Sequence, residues 1–171
     1  MKLDPEMFTA MGKVHSMEQV DIFTHVIMRY CEPHRTYHNL EHIAQMLQWG
    51  ANRMTQPLFW AIWYHDVVYK VGADNNEERS ADLALADTAM LGMTTEVVML
   101  VRNLILATKS PHRVPTIDYA AHELEQFQFI IDLDLGGFSM PWDEYRRNTL
   151  NIREEVAPET FWIHGGRSSY L

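Results

Sequence analysis

Apolar residues in this chain recur three and four positions apart almost from end to end. The apolar/polar alternation that a half-buried strand needs is nearly absent. That periodicity restricts the chain to packed helices. Ser16 and Gln19 form a capping box ahead of the stripe Val20, Phe23, Val26, Ile27 and Tyr30, and Pro33 ends that helix. Asn39 is placed to cap a short helix carrying Ile43, Met46 and Leu47, closed near Gly50. Pro57 suits the first turn of a helix through Leu58, Ala61, Ile62 and His65. After a loop over 71–76 the spacing predicts a helix over 77–91, stopped by Gly92. Another starts at Thr94 or Thr95, runs through Val98, Val101, Ile105 and Leu106, and breaks at Ser110-Pro111. A further helix is expected from about Asp118 to Asp134, before Gly136-Gly137. The last opens at Ser139-Met140-Pro141 and runs through Trp142, Tyr145 and Ile152, with Pro158 beyond its end. The expected fold is all-α, a compact bundle of about six or more helices.

With 171 residues, no internal repeat and no Gly/Ser linker, residues 1–171 are read as one domain. A formal net charge of -9 argues against an extended nucleic-acid surface, where Lys and Arg must neutralise phosphates. It leaves room for a small anionic substrate, because a bound metal ion brings its own positive charge. The single cysteine, Cys31, rules out an internal disulfide framework. Without a signal-peptide pattern or an apolar run of membrane-spanning length, the expected location is cytoplasmic and no membrane partner is expected.

The chemistry concentrates in three segments. His65-Asp66 lies in the apolar run Ala61-Ile62-Trp63-Tyr64-His65-Asp66-Val67-Val68-Tyr69. On a helix the two side chains stand about 100° apart around the axis, so both can face one metal, with Asp66 free to bridge to a second. Upstream is Tyr37-His38-Asn39-Leu40-Glu41-His42, and downstream Asp132-Leu133-Asp134-Leu135. With Asn39 as cap, His38 precedes the helix and His42 falls in its first turn. One imidazole can then ligate metal while the other faces a substrate. Imidazole and carboxylate together suit Zn, Mn, Fe, Ni, Co or Mg, in one or two copies. With no cysteine in the set, an open catalytic site is expected rather than a closed structural zinc.

These segments resemble the HD superfamily of metal-dependent phosphohydrolases, named for the adjacent His-Asp. The resemblance is closest to its small bacterial and phage branch. It continues through Asp74-Asn75-Asn76-Glu77-Glu78-Arg79-Ser80-Ala81, Leu104-Ile105-Leu106-Ala107-Thr108-Lys109 and Ile152-Arg153-Glu154, covering about residues 20 to 167. It implies an HD-domain helical bundle with His42, His65, Asp66 and Asp134 as metal ligands. The Tyr-His-Asn-x-x-His pattern is also similar to that of the cyclic-nucleotide phosphodiesterases of the same superfamily. By that likeness His38 is the general acid and His42 the ligand; the reverse assignment is the alternative. Members of the branch usually continue past the Gly-Arg seen here as Gly166-Arg167 with another helix. This chain stops at Leu171, so part of the C-terminal cover, with its lid or homo-oligomer contacts, is expected to be missing.

The expected activity is hydrolysis of a phosphoester of a small phosphorylated metabolite, most plausibly a nucleotide, by metal-activated water. With Asp66 bridging two ions about 3.5–4 Å apart, water shared between them is the nucleophile. His38 suits proton delivery to the leaving group. Glu77 or Glu78 is a candidate for holding the second ion through water; both also simply favour a helix N-terminus. Lys109 and Arg35 are candidate phosphate contacts. His112 resembles an extra His that some family members place near the metal, with a solvated loop residue as the alternative. Trp60, Trp63, Trp142 and Trp162 read as packing residues. Two other functions remain open: a di-iron HD-type oxygenase using His112 and His122 as extra ligands, and a non-catalytic metal- and nucleotide-binding signalling module.

Overall fold

Helix boundaries fall mostly where capping chemistry places them. The computed structural model describes residues 17–110 and 120–156. These form seven α-helices: α1 (Met17–Tyr30), α2 (Leu40–Gly50), α3 (Gln56–Tyr64), α4 (Asn76–Met90), α5 (Thr95–Lys109), α6 (Ala121–Asp134) and α7 (Trp142–Glu155). Short 3-10 turns cover Ala51–Arg53 and Leu135–Ser139, and no strand occurs among the described residues. The chain is all-α, as its periodicity requires. Ser16, expected as the first cap, lies outside the described residues.

Asn39 caps α2 by accepting from the Glu41 backbone N–H at 2.8 Å. Thr55 caps α3 by accepting from the Leu58 N–H, two residues ahead of the expected proline signal at Pro57. Thr94, rather than Thr95, caps α5. Gly92, at φ 75°, adopts the left-handed conformation that ends α4.

The core is organised around α3. Every residue from Leu58 to Tyr64 is buried, so this helix is apolar on all sides and can only be central. Against it pack Phe23 and Val26 of α1, Ile43 and Met46 of α2, Leu104 and Ile105 of α5, and Phe127 and Ile130 of α6. The hairpin of α4 and α5 packs as one closely joined pair, with α5 also lying against α3 and α6. Trp60 and Trp63 belong to this core, but Trp142 is 64% exposed, against the packing role expected of it. Trp162 lies outside the described residues. Among the described residues no helix is long and apolar enough to cross a membrane.

One boundary differs from expectation in a way that shapes the site. α3 ends at Tyr64; the His65 N–H still reaches the Ala61 carbonyl at 2.9 Å, and Asp66 lies in the turn that follows. The carbonyls of Asp66 and Val67 bond to the Arg35 guanidinium instead of continuing the helix. Val68 then bonds through its N–H to Ser80 Oγ at 3.0 Å, tying the turn to α4.

Candidate metal centre

The end of the buried helix is where the polar residues gather. His42 from the first turn of α2, His65 and Asp66 from the end of α3, and Asp134 from the last position of α6 each offer one ligand atom. All four atoms lie within 4.8 Å of one another. His42 Nε2 is 3.3 Å from His65 Nε2 and 3.2 Å from Asp134 Oδ1. His65 Nε2 is 3.1 Å from Asp66 Oδ2 and 3.6 Å from Asp134 Oδ1. Donors sharing an ion through bonds of about 2.0–2.2 Å stand roughly 3–3.6 Å apart around it, which is the spacing found here.

The donor chemistry asks for a cation. His65 Nδ1 donates to the Ile62 carbonyl at 2.9 Å, so Nε2 is the ring end that takes up a cation, a proton or a metal ion, from the group. That nitrogen faces a second imidazole and two carboxylates in a buried setting. Without positive charge the arrangement is repulsive. The titration behaviour says the same thing. Burial pushes the His65 pKa down, yet Asp66 and Asp134 outweigh it and hold it well above 6.5. Burial pushes Asp66 up, but His65 and then His38 bring it down to about 2. Asp134 is held below the usual carboxylate range by hydrogen bonds from His42 and His65, against its own burial. Both α3 and α6 reach this point by their C-terminal ends, whose partial negative charge also favours a cation. Two imidazoles and two carboxylates can therefore hold a divalent metal ion here. Closing on oxygen as well as nitrogen, the set suits borderline and hard ions alike.

His38 stands beside this group rather than in it, its ring centroid 6.1 Å from that of His42. Its Nδ1 donates to Glu155 Oε2 at 2.6 Å, while Glu155 Oε1 accepts from the backbone N–H of Tyr37 and of His38, both at 2.8 Å. The Tyr69 ring stacks on the imidazole at 4.4 Å. These contacts fix the ring and leave Nε2 as the end able to exchange a proton. Burial lowers the His38 pKa, but the charges of Asp66 and Glu155 together raise it above 6.5. Both carboxylates thus favour the protonated form of the imidazole.

Arg35 has a different part from the phosphate contact expected of it. Its side chain is 0% exposed, and its nitrogens donate to Glu32 and to the carbonyls of His38, Asp66 and Val67 at 2.6–3.2 Å. The guanidinium also lies over the Tyr30 and Tyr69 rings. It is a strut joining the two segments that carry His38 and Asp66. This role has a local cause: unpaired carbonyls at a helix end compete for a buried cation.

Lys109, also expected at a substrate phosphate, bonds Glu78 at 2.5 Å and the Asp74 carbonyl, which clips the end of α5 to the loop before α4. Glu78 gives Oε1 to that clip, while its Oε2 is buried without a hydrogen-bond partner. Glu77 is half-buried; burial raises its pKa and the negative charge of Asp66 adds to the shift, so Glu77 is the one of the pair that senses the centre. His112 lies outside the described residues. His122 is exposed in the first turn of α6, about 18 Å along the helix from Asp134, too far to ligate the same ion.

Glu155 and Tyr69 were not singled out from sequence. One signal for Glu155 exists: a carboxylate at the last position of a helix opposes the helix dipole and calls for a compensating partner. On α7 it is the only residue that is buried. The chain has no significant match to any protein-family model, curated protein or solved structure.

Proposed function

We propose that this protein is a metal-dependent phosphohydrolase of the HD type, acting on a small phosphorylated metabolite, with nucleotides the first class to screen. The observation that carries the reading is the convergence of the His42, His65, Asp66 and Asp134 ligand atoms within 4.8 Å, next to an imidazole clamped by a buried carboxylate. When bound, a divalent ion supplies Lewis acidity: it activates water near neutral pH and withdraws charge from phosphoryl oxygens. The four side chains hold that ion and fix its position. His38 then delivers a proton from Nε2 to the leaving oxygen, and Glu155 keeps it protonated and aimed. Tyr69 and Arg35 support the same geometry, one by stacking on the ring and one by bracing the backbone.

The test is metal analysis of the purified protein joined to an anaerobic phosphate-release screen over nucleotides with Mn²⁺. Turnover without O₂ supports hydrolysis and removes an oxygenase. His38→Ala should lower kcat by about 10²–10⁴-fold with the metal content unchanged. Tight nucleotide binding with no product from any phosphoester would overturn the enzyme reading in favour of a signalling module.

A further inference from the structure

A cleft lies between α2 and α7, walled by Tyr37, His42 and Gln45 on one side and by Arg147, Asn148 and Asn151 on the other. His42 belongs both to the lining of this cleft and to the metal-ligand group, so the two spaces adjoin. The cleft has about 70 Å³ open to water-sized groups. At ~10–15 Å³ per water, that is room for roughly five to seven waters. It admits one compact portion of a substrate, not a whole nucleotide.

Its lining is polar, and of mixed character. The Gln45 and Asn148 side-chain amides both direct N–H groups at Met140 Sδ, at 3.6 and 3.5 Å. A thioether is a weak acceptor, so both amides keep donor capacity for a better partner. Arg147 adds further donors and Glu41 an acceptor. Thr36 Oγ1 donates to the Asn151 carbonyl at 2.7 Å and can still accept. Phosphate is gathered by groups of one sign, whereas here an arginine and a glutamate, Arg147 and Glu41, line the same space. Groups that both donate and accept satisfy such a wall, and hydroxyls do both.

We propose that this cleft is the subsite for the hydroxyl-bearing sugar portion of the substrate, read by Gln45, Arg147, Asn148 and Asn151. The proposal rests on the phosphohydrolase reading for its orientation: a phosphoryl group at the metal ligands places the adjoining sugar past His42 and into the cleft. It goes further by naming what the enzyme selects. A sugar phosphate or the ribose of a nucleotide is favoured over an aryl or alkyl phosphate.

The experiment compares kcat/KM of the Mn²⁺-loaded protein for ribose 5-phosphate and for p-nitrophenyl phosphate. Wild type should prefer the sugar phosphate. In Arg147→Ala and Asn151→Ala the ratio of the two should fall at least about tenfold, through KM for ribose 5-phosphate. Arg147 is exposed on α7, so its loss leaves the fold intact. Hydrolysis of p-nitrophenyl phosphate with no preference for the sugar, or a ratio unaltered by both variants, overturns the subsite while the hydrolase reading stands. If wild type cleaves neither compound, the hydrolase reading is decided by the nucleotide screen above and not by these two esters. Calorimetry with ribose 5-phosphate then decides the subsite: Kd about tenfold weaker in both variants supports it, and equal Kd or no binding overturns it.

Discussion

Glu155 accepts a 2.6 Å hydrogen bond from Nδ1 of His38, a residue 117 positions away in the chain. The same carboxylate accepts two backbone N–H bonds from the His38 segment, and its side chain is 0% exposed. One buried acid therefore positions both the ring and the backbone that carries it.

Glu155→Gln keeps the shape and removes the charge. His38 loses part of the field that raises its pKa, so less of it is protonated at neutral pH. The alkaline limb of the kcat profile should move to lower pH, and kcat at neutral pH should fall about tenfold or more with metal content unchanged. A profile that stays in place would show that Glu155 acts only in folding.

The same pair sets a pH window for stability. The Glu155 pKa is lowered, burial opposing and His38 bonding prevailing, so its contribution is present above 4.5 and fades as pH falls through its depressed value. The His38 pKa is raised, so its contribution is present below 6.5 and fades as pH rises through its elevated value. In metal-free protein the stability gap between wild type and Glu155→Gln should be widest between about pH 4.5 and 6.5 and narrower at pH 9. Urea midpoints at three pH values measure it; a gap that grows toward pH 9 contradicts the ion pair.

Metal binding should stabilise the fold through the buried cluster. At a free ion concentration of 100 Kd the gain is about 2.7 kcal/mol, a rise in Tm of roughly 5–10 °C for a chain of this size. Asp134→Asn should lose most of that rise, its affinity falling by more than the ~10–100-fold typical of outer partners. Differential scanning calorimetry with Mn²⁺ and with a chelator reads both, and an equal Tm in the two conditions would remove the metal centre.

Arg35→Ala should be among the most damaging single changes in the chain. It strips donors from the carbonyls of His38, Asp66 and Val67 and leaves Glu32 without its partner at 3.0 Å. The expected cost is about 3–5 kcal/mol. Arg35→Lys should recover only part of this, because an ammonium cannot span three carbonyls as a planar fork does. Chemical denaturation of the two variants ranks them, and equal stability would mean that the fork geometry is immaterial.

Glycine at 136 marks how sequence and packing divide the work. Its place just after a helix is readable from sequence, but the reason a side chain is excluded there is the Trp49 ring from α2, which a β-carbon would strike. The same division runs through the site. His42, His65, Asp66 and Asp134 were legible as ligand candidates through the order and spacing of three segments and the resemblance those segments carry.

By itself the sequence determined that the chain is helical, where most helices stop, and which imidazoles and carboxylates are candidates to share a metal ion. Those properties reside in periodicity, caps and residue type, all of which act over a few positions. Tertiary structure alone decided that α3 releases Asp66 into a turn, that Arg35 braces the backbone, that Lys109 clips a loop, and that Glu155 holds His38. Each of these depends on partners 31 to 117 residues apart, and such pairings come from packing the core around one fully buried helix.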